Sequence, residues 1–299
     1  MSRPRIAPAV PVAVLTLLGL AAPYGCAQAP GFDSADYLRQ QIARQADAEL
    51  ARRVEVPFEL EPGVFDVVDA ELKPTGDARS RVARVLDFIF RRVDLQYRIF
   101  PTLDATDTFN QRQGNCLSFV NLFVAVGRHV RLDPFYVEVE DQQRWDHRDG
   151  MVVSQGHIVA GLYVDGELQT YDFLPYQVKS YKRFEPIDDL TAAAHFYNNL
   201  GAEALLAGDV ETAGRHLRTA NRIDPGFVKA ANNLGVWHAR NGQGAEAIEV
   251  YRRGLEVDPD NVPLLTNLAR AYQQRGQVAE AEALLERVER VHHSNPFFF

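Results

Sequence analysis

Cys116, His157 and Asp172 are the residues of this 299-residue chain whose types and order could carry out a reaction. Cys116 follows Gln113-Gly114-Asn115, and after it apolar residues fall at 117, 120, 123, 124 and 127. That spacing predicts a helix beginning at or near Cys116, with Gly114 allowing a sharp entry. Unpaired amides and the macrodipole at a helix start favour an anion, so a thiolate there is stabilised. Backbone N–H groups at the same end could form part of an oxyanion hole. Asn110, Gln111 and Gln113 are side-chain candidates for the same role, and each reads equally well as an ordinary loop residue. Considered alone, Cys116 also reads as a small core residue, because free cysteines are usually buried and inert.

The second group of residues lies about forty positions on. Gly156 to Val164 is an apolar run, Asp165-Gly166 is a hairpin turn signal, and Glu167 to Phe173 returns as the partner strand. With a two-residue turn at 165 and 166, His157 lies opposite Leu174. Asp172 is then its diagonal neighbour on the same face, at about 7–8 Å and within reach of a carboxylate–imidazole contact. A one-residue bulge would put the two on opposite faces. A thiol at a helix start with a histidine and an aspartate on adjacent strands is the set that nucleophilic thiol catalysis requires. His157 would take the thiol proton, and Asp172 would fix its tautomer and orientation.

The block from Asp104 to Pro175 resembles the transglutaminase-like branch of the papain-like superfamily. Cys116, His157 and Asp172 match its Cys, His and Asp in order and approximate spacing. Asn121 to Leu132 is similar to the family's helix and R-x-x-x-L stretch. The resemblance extends over about 34–188. It implies attack on a carboxamide or peptide carbonyl through a thioester, resolved by water or by an amine, and it also embraces inactive scaffolds. The strand reads Gly156-His157-Ile158-Val159, without the Trp that often follows the family's histidine, which leaves the substrate pocket undefined.

Elements must hold these residues in place. Residues 34–51 read as one helix capped by Ser34, with Leu38, Ile42 and Leu50 on one side. Asp77 caps a second, with Val82, Val85, Leu86, Ile89 and Val93 at core spacing. Trp145 to Gly150 reads as a polar loop. Farther on, the sequence repeats. Asn199, Asn233 and Asn267 are 34 residues apart, as are Gly208, Gly242 and Gly276, and Ala213, Ala247 and Ala281. Pro225 and Pro259 close successive units. The small residues Gly201, Ala213, Gly235, Ala247, Ala269 and Ala281 would let paired helices approach closely. This pattern resembles tetratricopeptide repeats over about 194–296, which implies a helical superhelix that binds a protein or peptide partner or scaffolds its neighbour. Asn198, Asn199, Asn232, Asn233 and Asn267 could contact a peptide or lie on solvated faces. Phe297 to Phe299 would cap the array or meet a partner.

At the other end, Arg3 and Arg5 precede a charge-free stretch from Ala7 to Pro23, short for a membrane span and interrupted by Pro8 and Pro11. It reads as an export signal, with an uncleaved anchor helix as the alternative. Gly25-Cys26 resembles the end of a bacterial lipoprotein box, which would lipidate Cys26 and attach the chain to a membrane; cleavage after Ala27 is the competing reading. Either places the mature protein outside the cytoplasm, in a bacterial periplasm or envelope, and leaves Cys116 without an intramolecular disulfide partner.

The expected organisation is therefore a signal at 1–27, an α+β papain-like domain of transglutaminase-like type at 30–190, and an α-solenoid of three helix-turn-helix repeats at 192–296. The expected function is that of an exported cysteine-dependent amide hydrolase or acyltransferase. The alternative is a catalytically inactive domain serving with the repeats as an envelope binding module. Net charge is −8, with 32 Lys and Arg against 40 Asp and Glu, so no basic excess favours nucleic acid. No phosphate-binding glycine motif is present. His147, His157 and His292-His293 lack zinc spacing, so neither metal nor cofactor is expected.

Overall fold

The structure is a computed structural model, and it describes residues 13–16, 35–148, 151–173, 181 and 183–294; side chains are described for 35–139, 157–173, 181, 183–291. The chain divides into two compact units. One comprises Met1–Gln41, Ala51–Gln142 and His157–Asp189, and the other Ile42–Leu50, Gln143–Gly156 and Leu190–Phe299.

The first unit is built on a five-stranded sheet. Its strands are β1 (Ala13–Thr16), β4 (Phe135–Arg148), β5 (Met151–Val164), β6 (Glu167–Asp172) and β7 (Phe184–Ile187), in the order β1-β6-β5-β4-β7. The hairpin register is the one its turn dictates: Val164 pairs with Glu167 and Ala160 with Tyr171, antiparallel and without a bulge over that span. β1, which lies in the expected leader, pairs antiparallel with β6, Ala13 opposite Asp172. Cys26 and the rest of the expected leader lie outside the described residues, as do Ser34 and Phe297 to Phe299. The stretch expected as a polar loop at 145–150 instead continues β4 as far as Arg148. Alternating Val and Glu residues before it set a strand period that the charged residues simply extend.

The expected helix over 34–51 is two helices, α1 (Ala35–Gln45) and α2 (Ala48–Arg53). Asp47 interrupts them by accepting a hydrogen bond from the Leu50 N–H at 2.8 Å, which starts a new helix there. Leu38, Ile42 and Leu50 are nonetheless all buried. Next come α3 (Pro62–Glu71) and α4 (Ala78–Asp87), the latter capped by Asp77 through the Ser80 N–H, and a π-helical turn at Phe88–Arg92. A short parallel pair, β2 (Gln96–Tyr97) with β3 (Gln113–Gly114), brackets α5 (Ala105–Gln111).

Helix α6 (Cys116–His129) runs through the middle of this unit. A single apolar stripe was expected, but every residue from Leu117 to Gly127 is buried, Ser118 and Asn121 included. A helix enclosed on all sides must have its polar groups bonded. Ser118 accepts from the Leu103 N–H at 2.8 Å, and Asn121 donates to the Leu103 carbonyl and accepts from the Tyr136 hydroxyl at 3.0 Å. Phe119 and Phe123 pack on Phe173, and Phe123 also on Tyr171, which fixes β6 to this helix.

The second unit carries three helix pairs: α7 (Asp189–Ala207) with α8 (Val210–Ile223), α9 (Val228–Arg240) with α10 (Gly244–Val257), and α11 (Val262–Gln274) with α12 (Val278–Ser294). Gly208, Gly242 and Gly276 turn each pair at φ between 73° and 79°, the left-handed region that glycine enters without strain. Close approach accounts for the small residues. A Cβ on Gly235 would fall 2.2 Å from the Tyr251 ring, and Ala213, Ala247 and Ala281 are completely buried. Four of the five asparagines are neither solvated nor on an open face. Asn198, Asn232, Asn233 and Asn267 are buried, with Asn233 donating to Asn198 at 2.9 Å and Asn267 to Asn232 at 2.8 Å. Asn199 is half-buried.

Candidate active site

Helix α6 begins with Cys116 because Asn115 stops the chain from being helical any earlier. Asn115 is extended, and its side-chain oxygen accepts from the Ser118 N–H at 3.0 Å. Its amide nitrogen donates to the Thr102 hydroxyl at 2.6 Å. Ser118 donates back to Asn115 at 3.1 Å. The cap is thus tied to the preceding segment and to the helix. Gly114 is obligatory for a steric reason: a Cβ there would come within 2.4 Å of the Ser118 Cβ. Cys116 follows as the first helical residue and is partly exposed. Its N–H and that of Leu117 precede the first hydrogen bond of the helix, which runs from the Phe119 N–H to the Asn115 carbonyl.

The hairpin delivers the other two residues. His157 Nε2 lies 3.2 Å from Asp172 Oδ1, and both side chains are buried. The diagonal relation inferred from the turn is therefore realised as a direct contact. Burial pulls the imidazole's proton affinity down. Hydrogen bonds to Asp172 and then to Cys116, together with the charges of both, more than reverse this and push the histidine up to about 10. The structure thus sets His157 against Asp172 in the first unit, with Cys116 near enough to help raise the imidazole. With Nε2 committed to Asp172, Nδ1 is the ring nitrogen left to serve the thiol.

Asn110 and Gln111 are exposed on the last turn of α5, and Gln113 is half-buried on β3. None of the three hydrogen-bonds to Cys116, His157 or Asp172 among the described contacts.

Two participants escaped the sequence reading. Tyr181 donates its hydroxyl hydrogen to Asp172 Oδ2, and the Tyr181 hydroxyl oxygen is 3.3 Å from His157 Nε2. It lies nine residues beyond Asp172 with no periodicity to mark it. Asn115 is the other, a residue type that commonly caps helices.

Residues 66–175, which contain all three site residues, match the sequence model of the transglutaminase-like superfamily. Residues 238–296 match a tetratricopeptide repeat model. The chain therefore carries a transglutaminase-like domain followed by tetratricopeptide repeats. Among solved structures, it is similar to a crystal structure of MamA at 19% identity, covering 36% of this chain and 66% of that one with a TM-score of 0.33. A second MamA structure matches at 20% identity over 35% and 61% of the two chains, with a TM-score of 0.32. No curated protein matches the chain.

Proposed function

From a transglutaminase-like domain joined to tetratricopeptide repeats, we propose a thiol-dependent acyl transfer on carboxamides or peptide bonds, giving hydrolysis with water and transamidation with an amine. The observation that carries this reading is the His157–Asp172 contact, with Cys116, at the start of α6, among the groups that raise the same imidazole.

The reaction follows from these three groups. His157 holds the proton given up by Cys116, and Cys116 Sγ bonds to the substrate carbonyl carbon. The carbonyl oxygen gains negative charge and is met by the N–H groups at the start of α6. When the C–N bond breaks, His157 passes its proton to the leaving nitrogen, and a thioester on Cys116 remains. Water or an amine, deprotonated by His157, then attacks the thioester and restores the thiol. Asp172 stays ionised throughout and keeps the Nε2 proton in place.

The repeats are proposed to bind a protein or peptide partner. The mature protein is proposed to work outside the cytoplasm, beginning either at a lipidated Cys26 or just after Ala27. Among the described residues, no helix is long and apolar enough to cross a membrane. Mass spectrometry of the native N-terminus tests the export proposal, and an intact Met1 would overturn it.

An amide-derived electrophile tests the chemistry. Cys116 should be acylated in the parent protein, and the label should be lost in Cys116→Ala and slowed in His157→Ala. Failure to label a folded parent protein would leave the domain as a binding module.

A further inference from the structure

We infer that Tyr181 is a positioning residue of this site, orienting the Asp172 carboxylate so that Oδ1 faces His157 Nε2. The inference rests on the acyl-transfer reading above. Each hydrogen bond to a buried carboxylate restricts rotation about its terminal torsion and so helps fix which oxygen meets the imidazole. Here Oδ2 takes the Tyr181 hydroxyl hydrogen while Oδ1 takes His157, so both oxygens are engaged. The phenol has one hydrogen, and it is spent on Asp172. The lone pairs of the same oxygen therefore face Nε2 at 3.3 Å as a second acceptor. Asp172 and Tyr181 together hold the proton on Nε2, so the proton taken from the thiol is the one carried on Nδ1.

The ring cannot easily withdraw. Tyr181 is 4% exposed and packs in a cluster with Phe135, Val137, Val139 and Val159. Strand alternation places Asp172 on the sheet face that this cluster covers, while Tyr171 and Phe173 turn to α6. Removing the hydroxyl alone takes away a hydrogen bond to a charged group and leaves the packing in place.

The test uses the full chain and the variants Tyr181→Phe, Asp172→Asn, His157→Ala and the Tyr181→Phe/Asp172→Asn double. The readout is the rate at which iodoacetamide modifies Cys116 at neutral pH, followed on the Cys116 peptide by mass. Tyr181→Phe should slow modification about tenfold, the scale of one hydrogen bond to a charged group. In the Asp172→Asn background the same change should slow it less than about twofold, because a residue acting through Asp172 has nothing left to act through. Equal slowing in both backgrounds would mark a purely structural tyrosine and overturn the inference. A parent rate in Tyr181→Phe with a slow His157→Ala would also overturn it while sparing the acyl-transfer reading. A parent rate in His157→Ala would remove that reading itself. Should Tyr181→Phe fail to fold, 3,5-difluorotyrosine at 181 keeps the shape and makes the phenol a stronger donor. It should shift the low-field proton resonance of the His157 imidazole, and an unmoved resonance would refute the assignment.

Discussion

Asp172→Asn removes a charge from the site and nearly preserves its shape, since the amide oxygen can still accept from His157 Nε2. The imidazole stands at about 10 against an ordinary 6.5, with burial opposing the rise and Asp172 the foremost of the groups that cause it. That difference corresponds to about 5 kcal/mol in favour of the protonated ring in the folded protein. Because the folded value is raised, this stabilisation is fully present below pH 6.5 and is lost as pH climbs through about 10. If Asp172 supplies about half of it, the variant should lose about 2–3 kcal/mol at pH 6. The gap between variant and parent should narrow as pH rises through about 10, where the parent ring gives up the proton that the variant ring has already lost. Thermal unfolding of the two proteins from pH 6 to 10 measures this, with the ring's charge followed by NMR of His157. Acyl transfer should fall by about 10²–10⁴-fold, the scale of a misdirected general base. Parallel stability curves across that range, or a parent His157 that titrates near 6.5, would refute the reasoning.

Asp104 caps α5 and is pushed up to about 6, by burial first and then by the charges of Asp107, Glu55 and Glu61. Its ionised form opposes folding, a penalty absent below pH 3.8, growing between there and about 6, and constant above. Asp104→Asn, which still caps, should therefore raise the melting temperature at pH 7.5 by the equivalent of about 1 kcal/mol after allowing for solvent screening, and should change nothing near pH 3.5. Gly114→Ala drives a methyl into Ser118 and should cost about 1–3 kcal/mol, with slower Cys116 modification read by mass. Asn233→Ala strips a buried partner from Asn198 and should cost about 1–3 kcal/mol in calorimetry, with the Cys116 modification rate unchanged.

The candidate site was legible where local rules decide geometry. A two-residue turn at 165 and 166 predicts the register seen from Val164–Glu167 to Ala160–Tyr171, and extending it puts Asp172 near His157. Helix periodicity after Leu117 located Cys116, and a 34-residue period located the repeats. Legibility failed where distant segments decide. Nothing near Ser118 or Asn121 announces that both are enclosed, because their partners are Leu103 and Tyr136, supplied by segments 15 residues away. Tyr181 was invisible for the same reason. The break at Asp47 was missed because apolar spacing continues across it: Leu38, Ile42 and Leu50 are buried whether or not one helix carries them. The repeat asparagines were read as surface residues because polarity is a poor guide to burial once a second amide sits one repeat away.

Those asparagines bear on how the array comes apart. Asn267 donates to Asn232, Asn232 to Asn233 at 3.3 Å, and Asn233 to Asn198, so one relay of amides runs in a single direction through α11, α9 and α7. In a linear repeat protein, stability divides into what each repeat contributes alone and what each junction adds. A buried amide relay shifts weight to the junctions, since a repeat that frays breaks its hydrogen bond with the repeat that stays folded. Partly unfolded arrays are thereby penalised, and the three helix pairs should open together. Slow amide exchange in α7, α9 and α11 should then report one common opening free energy rather than a gradient from the end of the array inward.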